Sequence, residues 1–230
     1  MIALALAEFA IPFATISLGE QWISSSLTGI LIATVPLWVV LLSRWFGVHE
    51  PLGLKRAGGL ALGFAGVVTL LGFGTVAGVL GWTGVLCVLI AALGYAVGPL
   101  VIQRYLTELD PLGPVTVSLA IATVVLLVPA LAAFPSHWPS PAAVWAVVVL
   151  GVVCSSVAML LMFYLVNHAG ASRATLITYI NPAVASLLGV GLLHETLGPA
   201  GLSAFGMIIA GSWLASRPGV KRVEELRPGG

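Results

Sequence analysis

His49-Glu50-Pro51-Leu52-Gly53 returns 145 residues later as His194-Glu195-Thr196-Leu197-Gly198. After eleven further residues in each copy, Ala65-Gly66 is matched by Ala210-Gly211. Upstream, Ser26 and Pro36 are matched by Ser172 and Pro182 with one residue of slippage. Order and spacing both recur, which marks a duplicated unit, and the relative direction of the two copies depends on what the chain does between them.

The composition says what it does. Of 230 residues, 60% are hydrophobic and 7% charged, and the mean hydropathy is +1.13. A soluble domain carries about 25% charged residues, so this chain cannot cover a surface facing water and reads as an integral membrane protein. Runs long enough to cross a ~30 Å hydrocarbon core lie at roughly 1–18, 22–44, 57–73, 79–102, 113–134, 142–166, 174–193 and 199–216. They are continuously apolar, whereas barrel strands are segments of about ten residues in which apolar and polar residues alternate. The expected class is therefore all-α with eight transmembrane helices. The first run has no cationic leader and carries Glu8 in its middle, unlike a secretory signal.

A net charge of +1 leaves no basic surface for nucleic acid. Cys87 and Cys154 both sit within apolar runs and suggest neither a disulfide nor a zinc site. With eight crossings, Arg44, Lys55, Arg56, Arg104, Arg173, Arg217, Lys221, Arg222 and Arg227 all fall on the side of the termini. Chance would segregate nine cations this way roughly once in 250 trials, so the positive-inside rule predicts a multi-pass protein of the cell membrane with both termini cytoplasmic. Trp22, Trp82, His137 and Trp138 occupy the opposite side, as interfacial anchors do.

The matched segments are the second and third runs against the seventh and eighth, five crossings apart. An odd number inverts one copy relative to the other, and inverted repeats typify carriers that expose a midplane site to each side in turn. Residues 79–216 make one complete five-helix copy and residues 1–73 a copy with only three helices. Residues 217–230 form a cytoplasmic tail. About 103 residues run from the fourth span to Pro182, against 35 ahead of Pro36, so a full first copy implies roughly 68 residues, or two helices, upstream. Without them, a homodimer in which two chains complete each other is the expected arrangement.

The stretches Glu8-Phe9-Ala10-Ile11-Pro12-Phe13-Ala14, Gly19-Glu20-Gln21-Trp22-Ile23-Ser24-Ser25-Ser26-Leu27 and Pro36-Leu37 carry a family resemblance. So do Gly170-Ala171-Ser172-Arg173-Ala174, Asn181-Pro182 and His194-Glu195. Together they resemble the EamA family of the drug/metabolite transporter superfamily over residues 1–216. The resemblance implies a ten-helix fold of two inverted five-helix repeats, here N-terminally incomplete, and export of amino acids and related metabolites.

Candidate site residues follow from where polarity interrupts the apolar runs. Glu8 lies about 18 Å deeper than Glu20 at 1.5 Å per residue, close to the midplane, where an ionisable group is costly and marks a pathway. Pro12 cannot serve the carbonyl of residue 8, which opens the helix at the same turn. Pro36 and Pro182 interrupt equivalent helices, with Thr34 near the first and Thr178, Tyr179 and Asn181 near the second as hydrogen-bonding groups. These eight residues are the expected substrate or proton pathway, with proton coupling through Glu8. The ordinary alternatives are a protonated structural Glu and kinks satisfied by neighbouring Ser or Thr.

The two His-Glu pairs fall on opposite sides of the bilayer, so they share no metal site and suit helix capping. Ser172 beside His168 lacks an orienting acid and a nucleophile elbow, so neither an enzyme nor a cofactor is expected. Gly59 with Gly63, and Gly94 with Gly98, read as close-packing faces. The interior of the spans holds no Lys or Arg, which disfavours phosphorylated substrates and leaves small neutral, zwitterionic or cationic molecules. A non-transporting fragment or membrane scaffold is the alternative reading.

Overall fold

The computed structural model describes residues 1–47, 53–72, 78–132, 138–174, 184, 188, 191 and 198–215. Every element among them is helical. In chain order they are α1 (Ile2–Gly19), α2 (Ser25–Leu42), α3 (Leu54–Gly72), α4 (Gly78–Leu106), α5 (Leu112–Ala132), α6 (Pro141–Ala169), the short α7 (Ala171–Ala174) and α8 (Pro199–Ala215). By length and composition α1, α2, α4, α5 and α6 can each cross a membrane, and α3 and α8 contain shorter apolar helices. Most of the seventh apolar run, the His-Glu pairs and residues 217–230 lie outside the described residues.

Local chemistry sets the ends. Ser24 caps α2, accepting the Leu27 amide at 3.2 Å, and Ser140 caps α6, accepting from Ala143 at 3.2 Å, with Pro141 filling a first-turn position that needs no N–H. Gly170, at φ +82°, ends α6 in a conformation other residues rarely adopt, and the next amide, Ala171, donates to Gln103 Oε1 at 3.0 Å. Gly47 lies beside the Arg104 guanidinium. The ends of α2 and α4 that carry Arg44 and Arg104 therefore share one side of the molecule, as the charge pattern requires.

Lipid is as apolar as leucine, so these helices are held by close packing and small residues rather than by exclusion from water. At the centre, Leu31, Val35 and Val39 of α2 pack with Val88, Ala91, Ala92 and Ala96 of α4 and with Ala204 and Ile208 of α8. A second cluster joins Leu4, Phe9 and Ala10 of α1 to Ile102, Val115, Ala122, Met159 and Phe163. α2 is the most enclosed span, and α5 and α6 are the most exposed.

The tightest approach is α3 on α8. A Cβ added to Gly59 would meet Ala215 N at 2.5 Å and Gly211 O at 2.7 Å; one on Gly66 would meet Ala204 O and Ile208 N at 3.0 Å. Numbers rise along α3 while they fall along α8, so the helices run in opposite directions.

Gly211→Val is expected to force these backbones apart and cost about 1–3 kcal/mol, the usual range for overpacking. Gly206→Ala, where a Cβ meets nothing within 4 Å, is the control. Denaturant unfolding in detergent measures both, and equal stability of the two variants would refute the packing assigned here.

Candidate functional site

Three irregular helices converge on one cavity. In α1, residues Ala5–Ala10 wind as a π-helix, with the Ile11 amide reaching back to the Leu6 carbonyl. The widened turn precedes buried Pro12, whose missing N–H and bulky ring would otherwise collide with the regular ladder. Across the cavity, Leu150–Val157 of α6 is also π-helical. There Ser155 and Ser156 donate to the carbonyls five residues back, at 2.9 and 3.0 Å. Between them α2 breaks at Ala33-Thr34, just before Pro36, into Ser25–Ile32 and Val35–Leu42.

The cavity holds about 590 Å³, within the usual range for a small-molecule site. Its walls are Glu8, Phe9 and Phe13 from α1, Ile32 and Val35 on either side of the break in α2, Tyr95 from α4, and residues of α6 from Val153 to Leu165, including Cys154, Ser155, Met159 and Met162. Val153, Cys154, Val157 and Leu161 are exposed, so the α6 wall is the open side.

Glu8 is the singular group in this lining. It is 7% exposed, and its Oε2 has no hydrogen-bond partner among the described residues. Tyr95 stands within electrostatic range of it. The carboxyl fits only because α4 carries glycine opposite: a Cβ on Gly98 would overlap the Glu8 carboxylate, and one on Gly94 would overlap the Ala7 carbonyl. Gly94 and Gly98 are thus a packing face and also the recess that admits the acid.

The break in α2 is polar in a different way. Thr34 is fully buried, donates to Leu31 O at 2.6 Å and accepts from Trp38 Nε1 at 3.1 Å. Ser212 of α8 donates to Ala33 O at 3.2 Å. These bonds hold the break open while Ile32 and Val35, rather than Thr34 or Pro36, reach the cavity. Pro12 acts likewise, shaping the wall without lining it. Thr178, Tyr179, Asn181 and Pro182 lie outside the described residues. Among the described residues no group of three His, Cys, Asp or Glu gathers as a metal site. His168 stacks on Tyr164 with centroids 4.1 Å apart, and its Nδ1 lies 2.8 Å from the Tyr164 carbonyl.

The EamA-like transporter family matches residues 82–217, more than half of the chain. The chain belongs to that family. It is 30% identical over 191 residues to the uncharacterized inner membrane transporter YedA of Escherichia coli, covering 83% of this chain and 61% of that one. It is 26% identical over 182 residues to the uncharacterized transporter YoaV of Bacillus subtilis, covering 78% and 62%. The chain thus spans about three-fifths of the length of these curated relatives. A solved chain described as "Crystal structure of protein" superposes with a TM-score of 0.65 at 23% identity, covering 89% of this chain and 73% of that one, which shows a shared fold.

Tyr95, Met159, Met162 and Ser155 were not legible as site residues in the sequence. For Tyr95 a signal did exist: it is a lone hydroxyl between Gly94 and Gly98, on the face that close packing turns inward. The methionines carry no such mark.

Proposed function

We propose that this EamA-family chain works as a secondary transporter of the cell membrane, exporting small neutral, zwitterionic or cationic metabolites, amino-acid-like in size, by alternating access. The observation that carries the reading is a mostly apolar cavity, open along α6, in which one buried carboxyl oxygen has no hydrogen-bond partner among the described residues, set between two π-helical turns and a broken helix. Irregular backbone at membrane depth is tolerated where it lines a cavity, and π segments concentrate at functional sites. Glu8 supplies the proton-exchanging group in this reading, and Ile32, Val35 and Tyr95 shape the substrate's seat.

The antiparallel packing of α3 on α8 fits two inverted copies that rock against each other, with eight crossings in a ten-helix plan. Both termini then face the cytoplasm. A reporter fused after Gly230 is expected to be active only there, and a cysteine placed at Ser136 to label only from outside; labelling of Ser136 from the cytoplasm would overturn the orientation.

The function is tested in proteoliposomes loaded with L-threonine, L-phenylalanine, phenethylammonium or 2-phenylethanol. Release of at least one of these well above protein-free vesicles is expected. Folded, inserted protein that moves none of them would count against transport.

A further inference from the structure

Resting on the reading of this cavity as the transport site, we infer that its preferred ligand is an organic amine with an apolar body and no carboxylate or phosphate of its own. The primary observation is the charge imbalance of the site. Glu8 is more than nine-tenths buried, lines the cavity and leaves Oε2 without a hydrogen-bond partner among the described residues. A buried carboxylate is tolerated when a positive charge meets it. Among the described residues the lining holds no Lys, Arg or His, and in the sequence no Lys or Arg occurs before Arg44, between Arg56 and Arg104, between Arg104 and Arg173, or between Arg173 and Arg217. This is a property of the sequence, so it covers the spans beyond the described residues too. When Glu8 gives up its proton, the complementary charge comes from what the cavity holds.

The rest of the lining defines the body that carries that charge. Phe9 and Phe13 meet edge to face with centroids 5.8 Å apart, and the Tyr95 ring lies on the adjoining wall. Aromatic faces attract an ammonium group and pack its apolar substituents. Met159 and Met162 add polarisable, adaptable surface opposite. The described lining offers no cationic group to an anion. A ligand carboxylate or phosphate would be desolvated with no cationic partner while facing Glu8, a penalty the amine alone avoids. An amino acid therefore fits less well than the corresponding amine.

Cys154 provides a local readout, because it lines the cavity and is exposed, whereas Cys87 is buried. The purified chain in lipid nanodiscs is treated with a thiol-reactive maleimide in the presence of three probes that share one apolar body: phenethylammonium, 2-phenylethanol and 3-phenylpropionate. Phenethylammonium is expected to slow Cys154 labelling at a concentration at least tenfold below that needed by the neutral alcohol, and the anion to give no protection. In Glu8→Gln the amine and the alcohol should become equivalent. Equal protection by alcohol and amine in the wild-type chain, or stronger protection by the anion, would overturn the inference without recourse to any variant. Protection by the amine with none of the four solutes released from proteoliposomes would leave this inference standing and remove the transport reading. Release of neutral solutes without protection by the amine would do the reverse.

Discussion

Glu8→Gln is expected to insert and fold like the wild-type chain and to lose solute accumulation against a gradient, leaving the solute near equal concentration on the two sides. Glutamine keeps the shape and most hydrogen-bonding capacity of glutamate but cannot take up and release a proton, so the substitution removes the exchange step and little else. The recess that Gly98 provides accommodates either side chain. Glu20→Gln is the matched control, because Glu20 is exposed just beyond the end of α1 and touches no part of the cavity. It should remain close to wild type. The measurement is efflux from vesicles with an imposed pH gradient, using a solute the wild-type chain moves. Gradient-driven efflux by Glu8→Gln at the wild-type level would return Glu8 to a structural role.

Gly98→Ala is expected to be nearly as damaging, although it alters a helix that carries no charge at this depth. A single methyl group there occupies the space of the Glu8 carboxylate, so either the acid leaves its recess or α1 moves off α4. Overpacking of this kind costs about 1–3 kcal/mol, and displacement of the carboxyl should reduce transport at least tenfold. Elsewhere in the helices Gly→Ala is neutral or favourable by propensity, about 0.5–1 kcal/mol, as Gly206→Ala should show. Combining Gly98→Ala with Glu8→Ala separates the two effects. If the clash is with the carboxylate, the stability lost in Gly98→Ala is largely recovered in the double variant, while transport stays absent. A Gly98→Ala chain with wild-type stability and flux would show that α1 and α4 are not packed as described.

The membrane class was legible from the sequence because it depends on local composition: long runs without charge can only be covered by lipid or by one another. Glu8 was legible for the same reason, as the one carboxyl deep within such a run. Which side of each helix turns inward was not. A soluble helix announces its buried face by amphipathic spacing, but here both the interior and the lipid accept the same apolar residues, so nothing local distinguishes Val153, exposed on the open wall, from Val88, fully buried. The tertiary structure decided that Thr34 spends its hydroxyl on Leu31 and Trp38 instead of facing the cavity, and that Tyr95 lines it. It also decided that Gly98 leaves room for Glu8. Each of these depends on the rotation and close approach of neighbouring helices, which small residues permit but do not specify, and only the packed assembly fixes them.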